Sequence, residues 1–204
     1  MWKIKPSQLE SYRLFKVDKF DKTKEQFIED LTTLKESESM RFGSEIHKFL
    51  ELGESDYFED GEIEQLTGLR SLMPDGIHEV KFDHQINDLY FSMVIDMVFG
   101  NQAHEYKTSS RFWGVDFFQD SIQWKAYLMA SGLSSMTYHC ITYYKGENGI
   151  NRPCKFTYHK PFTFYPYPEM QNDVLDLSYE FVDFCKENEI KHIIELSDEQ
   201  TSNK

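Results

Sequence analysis

The feature that most constrains this chain is a strongly apolar stretch, residues 91–99, that carries one carboxylate in its middle. In a β-strand, successive side chains point to opposite faces. One face then carries only large apolar side chains and is predicted to pack on a core: Phe91, Met93, Ile95, Met97 and Phe99. Asp96 lies on the other face, between Val94 and Val98. A carboxylate at such a position is costly to bury unless another group pairs with it.

The residues that follow the apolar stretch predict a hairpin that supplies partners for Asp96. Gly100 and Asn101 both tolerate positive φ, as a two-residue hairpin loop requires. The numbers of paired residues then sum to 201, which places Asp96 opposite Glu105, with Cβ atoms roughly 5 Å apart. Lys107 projects from the same face as Glu105. Like charges directly opposite destabilise a sheet, so two carboxylates beside one ammonium group predict a divalent-cation site.

The same three residues have a plainer interpretation. Asp, Glu and Lys are common near hairpins, and a structural ion-pair network has the same composition as a metal site. The pattern of an Asp, eight residues, a Glu, one residue and a Lys also arises by chance. The flanking segments must therefore decide between the two interpretations.

Length and composition predict one globular domain. The chain has 204 residues, of which 40% are apolar and 16% aromatic, enough to bury a sizeable core. We expect a single domain over residues 1–194, made of a helical part (6–72), a sheet core (77–165) and a C-terminal helix (169–187). Residues 195–204 are polar and predict a flexible tail. The alternation of helices and strands predicts an α/β fold with a mixed central β-sheet flanked by helices.

Charge and cysteine content bound the environment and the partners. No run approaches the ~20 apolar residues of a membrane span, and the N-terminus lacks a secretory signal, so we expect a cytoplasmic protein with no membrane partner. The three cysteines fit a reducing compartment. The net charge of −13 argues against a general nucleic-acid coat, although the first 24 residues are locally basic.

Two predicted helices carry further polar residues at helical spacing. In residues 42–53, Gly43, His47 and Glu51 recur every four residues on one face, and a small residue one turn before a histidine allows close backbone approach. Gln123 and Tyr127 lie one turn apart in a helix predicted over 116–131, and a further strand is predicted over 155–165. Taken alone, His47 is an ordinary structural histidine and the Gln–Tyr pair an ordinary amphipathic border.

With these segments in order, the chain resembles the PD-(D/E)XK nuclease superfamily in its RecB-like exonuclease branch, which has a restriction-endonuclease-like core. The resemblance rests on four pieces in sequence order: Gly43-Ser44-Glu45-Ile46-His47 with Glu51, Asp96 in a strand, Glu105-Tyr106-Lys107 in the next strand, and Gln123-xxx-Tyr127 on a helix. The segment PSQLESY at residues 6–12 is also similar to the start of many members. Together the pieces cover most of residues 6–130.

The resemblance implies a metal-dependent nuclease that hydrolyses phosphodiester bonds in DNA. Asp96, Glu105, His47 and the backbone carbonyl of Tyr106 would bind Mg²⁺ or Mn²⁺, and Lys107 would orient the attacking water. The hard oxygen ligands suit Mg²⁺, and an imidazole ligand extends tolerance towards Mn²⁺. Gln123 and Tyr127 would hold the DNA strand or brace the site, and Arg111 and Ser109 would also bind substrate. Glu51 and Glu45 are auxiliary candidates.

The chain departs from some members of the family in its cysteines, and the resemblance leaves the type of nuclease open. Some relatives hold an iron–sulfur cluster through one upstream and three downstream cysteines, but no cysteine precedes Cys140 here, so we expect no cluster. A freestanding core of this kind is typical of phages and mobile elements, and it would act at DNA ends or single strands in a bacterial or infected cell. A homo-oligomer or a recombination partner protein could supply the surface along which DNA binds, which the net charge of this chain does not favour. The alternatives are a structure-specific or restriction-type endonuclease and a catalytically silent binding module.

Overall fold

The structure is a computed structural model that describes residues 1–33, 36–146, 149–150 and 152–195. Most of the predicted flexible tail, residues 195–204, therefore lies outside the described residues. Glu195, the one described residue of that tail, forms an isolated β-bridge with Trp2.

The N-terminal part is helical, as predicted. It comprises α1 (Pro6–Lys16), α2 (Lys24–Thr32), α3 (Glu38–Leu52) and α4 (Asp60–Arg70). Pro6 opens α1, and Thr23 caps α2 in a reciprocal capping box with Gln26. Gly53 ends α3 in the left-handed conformation, for which glycine carries no Cβ penalty. The helices after the sheet begins are α5 (Val115–Gln119), α6 (Ile122–Ser131), α7 (Met170–Glu187) and a short 3-10 helix (Lys191–Ile193).

A mixed sheet forms the centre of the molecule, which confirms the predicted α/β class. Its strands are β1 (Trp2–Ile4), β2 (Ile77–Ile86), β3 (Leu89–Phe99), β4 (Gln102–Ser109), β5 (Ser135–Tyr143), β8 (Phe156–Tyr158) and β9 (Phe162–Phe164). The strand order is β1-β3-β4-β5-β8, with β2 also paired to β3 and β9 to β5. The pairs β1–β3 and β4–β5 are parallel. A separate two-stranded sheet joins β6 (Lys145–Gly146) to β7 (Gly149–Ile150).

Two apolar cores lie on opposite faces of this sheet. Tyr138 and Cys140 of β5 belong to the larger core with α1, α6 and α7, whereas Ile141 and Tyr143 belong to the smaller core with α3 and α4. Since side chains alternate along a strand, the neighbouring residues Cys140 and Ile141 point to opposite faces of the sheet. The sheet is therefore covered by helices on both sides, as expected for a layered α/β fold.

The alternation along β3 changes at Asp96, which corrects the predicted single apolar face. Phe91, Met93 and Ile95 pack in the larger core, as predicted, but Met97 packs in the smaller one. Phe99 is 50% exposed rather than buried. A strand of unbroken alternation cannot send residues of one parity to both faces, so the backbone turns over at the carboxylate.

Two predicted elements are each divided in the structure. The helix predicted over 116–131 is α5 followed by α6, because Ser121 accepts a hydrogen bond from the Gln123 N–H and begins a new helix. The strand predicted over 155–165 is β8 followed by β9. Pro161 separates these two strands and has no N–H to donate to a ladder, and their registers against β5 differ by one residue. The strand β1, only three residues long, was not predicted.

Within the described residues, none of the helices combines the length and the apolar character that crossing a membrane requires.

Candidate active site

The carboxylate of Asp96 lies where β4 separates from β3. The β3–β4 pairing has the predicted register, with Phe99, Val98 and Met97 opposite Gln102, Ala103 and His104, and it ends one position before Asp96. Gly100 alone of the two loop residues has a positive φ, 59°. The Tyr106 N–H instead donates to Oδ2 of Asp96 at 2.7 Å. The side chain of Asp96 thus satisfies a backbone donor that has left the ladder.

The other neighbour of Asp96 is Glu79, a residue that was not predicted as part of the site. In the β2–β3 pairing, His78 lies opposite Met97 and Val80 opposite Ile95, but the intervening pair, Glu79 and Asp96, is missing. Glu79 has a φ of 51°, a left-handed conformation that is unfavourable for residues with a Cβ. Burial and the charges of Asp96 and Glu51 raise the pKa of Glu79. Strained positions of this kind concentrate at functional sites.

A hydrogen-bond network connects Glu105, Lys107 and the α6 helix. Lys107 Nζ donates to Oε1 of Glu105 at 2.9 Å and to Oε1 of Gln123 at 2.8 Å. Gln123 Nε2 donates to the same Glu105 oxygen at 3.2 Å and to the Tyr127 hydroxyl at 2.9 Å. Gln123 and Tyr127 are both buried. In this structure the Gln–Tyr pair braces the lysine and the glutamate.

Glu105 is a buried carboxylate whose charged form is disfavoured. Burial, reinforced by the charge of Asp96, raises the pKa of Glu105 to about 7 even though Lys107 counteracts the shift. For Asp96, burial acts in the same direction, but the hydrogen bond and charge of His47, the charge of Lys107 and the Tyr106 N–H outweigh it, so its pKa is lowered. Burial would lower the pKa of Lys107, yet Glu105 and Asp96 raise it. At neutral pH, Asp96 and Lys107 are charged, whereas Glu105 is partly protonated.

The helix α3 brings His47 to the opposite side of Asp96. His47 Nδ1 lies 3.6 Å from Oδ2 of Asp96, and its ring meets Tyr106 edge-on. A Cβ added at Gly43 would lie 2.7 Å from Oγ1 of Thr108, so only glycine allows α3 to approach β4 this closely, as the sequence predicted. An open cleft of about 660 Å³ runs between α3 and the end of β4, lined by residues that include His47, Lys107 and Ser109.

One carboxylate oxygen of this cluster stands apart from the network. Oε2 of Glu105 is buried and accepts no hydrogen bond from any residue that the structure describes, whereas Oε1 accepts from Lys107 and Gln123. A buried carboxylate oxygen without a donor carries a desolvation penalty that a cation would remove. Among the described residues, no three His, Cys, Asp or Glu side chains converge into a ready-made metal site. Two carboxylates supplemented by a backbone carbonyl and water nevertheless fit Mg²⁺, which retains several waters.

Of the remaining predicted residues, Glu51 lies near the site, whereas Glu45, Ser109 and Arg111 do not join its hydrogen-bond network within the described part of the chain. Glu51 lies one turn after His47, and its charge acts on Glu79 and Tyr106. Glu45 lies two positions before His47, about 200° around the helix. It makes no hydrogen bond or ion pair with the site within the described part of the chain. Ser109 Oγ donates to the backbone carbonyl of Arg111 at 2.5 Å. The guanidinium of Arg111 lies 3.5 Å from the centre of the Trp113 ring, outside the hydrogen-bond network of Glu105, Lys107 and Gln123.

A second residue that was not predicted holds α6 in place. Oε2 of Glu10, on α1, accepts hydrogen bonds from Ser121 Oγ at 3.0 Å and from the Ile122 N–H at 2.8 Å. It therefore caps the helix that carries Gln123 and Tyr127. Arg13 pairs with Glu10 on its other side. No local pattern reveals this contact, because the partners are 112 residues apart.

Comparisons with known proteins support the fold. No family model and no curated protein sequence matches this chain. Its structure is similar to that of the protein SSO0001, with a TM-score of 0.50, 14% identity and coverage of 89% of this chain and 75% of that one. It is also similar to a "Putative exonuclease" from Eubacterium rectale, with a TM-score of 0.50, 11% identity and coverage of 98% and 87%. At these identities the likeness establishes a shared α/β fold.

Proposed function

We propose that this protein is a metal-dependent nuclease that hydrolyses phosphodiester bonds in DNA. The observation that supports the proposal is the buried Glu105 carboxylate, which directs one oxygen to Lys107 and Gln123 and finds no donor for the other among the described residues. The Lys107 ammonium pairs with Glu105, and the His47 imidazole lies 3.6 Å from the second carboxylate, Asp96. The resemblance to PD-(D/E)XK nucleases and the similarity to a structure described as an exonuclease add support.

The metal would be held by Asp96, Glu105, the carbonyl of Tyr106 and His47. When bound, Mg²⁺ or Mn²⁺ stabilises negative charge on the phosphate and lowers the pKa of a coordinated water. Metal binding also requires deprotonated ligands, so Glu105 would release its proton as the cation arrives. The buried, unpartnered oxygen of Glu105 is then the ligand that gains most from the metal.

Lys107 would act on the water and on the phosphate. Its ammonium is fixed by two acceptors, Glu105 and Gln123, and a fixed charge costs no reorganisation when negative charge develops in the transition state. Gln123 would fix the positions of both residues, because its amide oxygen accepts from Lys107 and its amide nitrogen donates to Glu105. Tyr127, which accepts from the same amide, would set the orientation of Gln123.

An exonuclease is the more specific form of the proposal, and it has a direct test. End-labelled linear duplex DNA and closed circular DNA are incubated with the purified chain in Mg²⁺, Mn²⁺ or EDTA, alongside Lys107→Ala. We expect metal-dependent loss of the linear DNA alone, and its abolition by Lys107→Ala. Lys186→Ala, which removes an exposed lysine on α7, is the matched control and should cleave like the wild type.

The outcomes separate the candidate functions. Cutting of the circular DNA would replace the exonuclease by an endonuclease of the same fold. Cleavage that persists in EDTA or in Lys107→Ala would contradict this site as its source. A folded protein that cuts neither substrate and binds no divalent cation in calorimetry would overturn the proposal.

A further inference from the structure

A surface of aromatic and basic side chains begins where the cleft lining ends. We define this platform as Arg111, Phe112 and Trp113 of the loop after β4, together with Lys19 and Phe20 that follow α1. The cleft is lined by Lys107, Thr108, Ser109 and Ser110, so the chain passes directly from the cleft to the platform. Phe20 and Phe112 are 46% and 38% exposed, whereas aromatic side chains elsewhere in the chain mostly fill the cores.

The aromatic side chains of the platform are held in place by contacts with other rings. Phe112 stacks on the ring of His159 at 4.3 Å and 9°, and His159 is itself anchored by a hydrogen bond with Thr142 Oγ1 at 2.9 Å. Trp113 packs against Phe20 edge-on and stacks on Phe117. Each ring is therefore in contact with another ring, and little side-chain entropy remains to be lost on binding a ligand.

The cations of the platform are not neutralised. Lys19 lies over Trp113 and Phe117, and the Arg111 guanidinium lies over Trp113. Neither cation has a carboxylate within salt-bridge distance among the residues that the structure describes. In a chain with a net charge of −13, exposed cations stacked on aromatic rings are complementary to a ligand that offers both phosphates and flat bases.

We propose that the platform binds the unpaired bases of a single-stranded nucleic acid whose backbone enters the catalytic cleft. This inference rests on the proposed function and narrows its substrate to DNA with an unpaired end. Arg111 is at most about 13 Å of extended chain from Lys107, a distance spanned by about four stacked nucleotides. Bases stack on Phe112 and on the outer face of the Arg111 guanidinium, and Lys19 contacts phosphate. Duplex DNA keeps its bases inside the stack and cannot use this surface.

The test measures binding rather than cleavage, with the full chain in EDTA. Fluorescence anisotropy compares a labelled oligothymidylate with a blunt duplex, for the wild type, Phe112→Ala and Arg111→Lys. We expect the wild type to prefer the single strand, and each variant to lose roughly 5- to 30-fold in affinity for it. Arg111→Lys keeps the charge but not the planar stacking face, so its loss distinguishes stacking from charge alone.

The control is Phe99→Ala, which removes an aromatic side chain of similar exposure from the end of β3. It should bind the single strand like the wild type, and thermal melting checks that all variants are folded. Single-strand binding that is unchanged in folded Phe112→Ala and Arg111→Lys would overturn the proposal. Equal affinity for duplex and single strand would also overturn it.

The result is independent of whether the chain cleaves DNA. If cleavage fails under all metals but the platform variants lose single-strand affinity, the proposed function is wrong and the binding surface remains. If cleavage depends on Lys107 but the platform variants bind normally, the nuclease remains and the binding surface is wrong.

Discussion

The backbone N–H of Tyr106 donates to Oδ2 of Asp96 at 2.7 Å, in the position where the β3–β4 ladder would otherwise continue. A side-chain carboxylate thus replaces a main-chain acceptor, and the two strands separate around it. The divergence brings Asp96 close to Glu105, Lys107 and His47 without leaving the Tyr106 donor unsatisfied. The same residue therefore shapes the site and contributes its charge.

Two substitutions at Asp96 separate these roles. Asp96→Asn retains an oxygen that can accept from the Tyr106 N–H, whereas Asp96→Ala leaves that donor unpaired. We expect Asp96→Ala to lower the free energy of unfolding by about 1–3 kcal/mol relative to Asp96→Asn, measured by urea denaturation in EDTA. Both variants remove the same charge, so the difference isolates the hydrogen bond. Equal stabilities would contradict the structural role, and we expect both variants to lose cleavage.

The raised pKa of Glu105, about 7, predicts that stability without metal falls as the pH rises. The folded protein binds this proton more tightly than the unfolded chain, so the stabilisation is complete below the unfolded pKa and is lost as the pH rises through 7. Glu105→Gln cannot ionise and should be the more stable protein at pH 8, by at most about 3 kcal/mol. Urea titrations at pH 5 and pH 8 in EDTA test this. A wild-type stability that does not change between them would argue against a buried, shifted Glu105.

Metal binding should expel the Glu105 proton. At pH 6 most of the protein carries that proton and at pH 8 little does, so the affinity for Mg²⁺ or Mn²⁺ should increase with pH. Calorimetry of Mn²⁺ binding near pH 7 in buffers of different ionisation enthalpy should reveal release of a fraction of a proton. The same experiment on Glu105→Gln should show weaker binding and no release. Release that is unaffected by the substitution would assign the proton to another group.

The contact between Gly43 and Thr108 predicts a steric coupling. Gly43→Ala places a Cβ 2.7 Å from Thr108 Oγ1, so we expect a loss of about 1–3 kcal/mol in stability and a loss of cleavage as α3 moves His47 away. Thr108→Ala removes the clashing oxygen and should restore much of both in the double variant. Gly68→Ala, whose Cβ meets no atom within 4 Å, is the control and should stabilise α4. Failure of the double variant to recover would show that the clash is not the cause.

Gln123 offers a test of the lysine brace. Gln123→Glu exchanges an amide that donates to Glu105 for a third carboxylate, which should raise the pKa of Glu105 further. The acidic limb of the pH dependence of kcat/KM should therefore move to higher pH. Gln119→Glu, at an exposed position in α5, adds the same charge away from the network and should leave the profile unchanged. A lower rate without a shifted profile would indicate a purely structural role for Gln123.

Some of this arrangement follows from local sequence rules. Gly100-Asn101 fixed the register of the hairpin, so the alignment of β3 with β4 was correctly predicted, although only Gly100 has a positive φ. Thr23 caps the start of α2. Gly53 and Gly132 end α3 and α6 in the left-handed conformation that glycine favours. The register of β2 was also within reach, because the Asn87-Asp88 turn pairs residues whose numbers sum to 175. That sum places Glu79 opposite Asp96.

Other features depend on contacts between distant segments. The reversal of β3 at Asp96 coincides with the end of its pairing with β4, and no periodicity within β3 encodes it. The break between α5 and α6 arises because Glu10 and Ser121 satisfy the donors of a new helix start. A strand of three residues such as β1 is too short to carry a pattern.

The cap that Glu10 provides for α6 also sets an order of events during synthesis. The acceptor on α1 is made 112 residues before its donor. Until Ile122 has been synthesised, Glu10 has Arg13 beside it on α1 but no helix to cap. The charged centre is therefore completed only after the whole segment from α1 to α6 has been made. Removing α1 would thus damage the centre of the molecule rather than its edge.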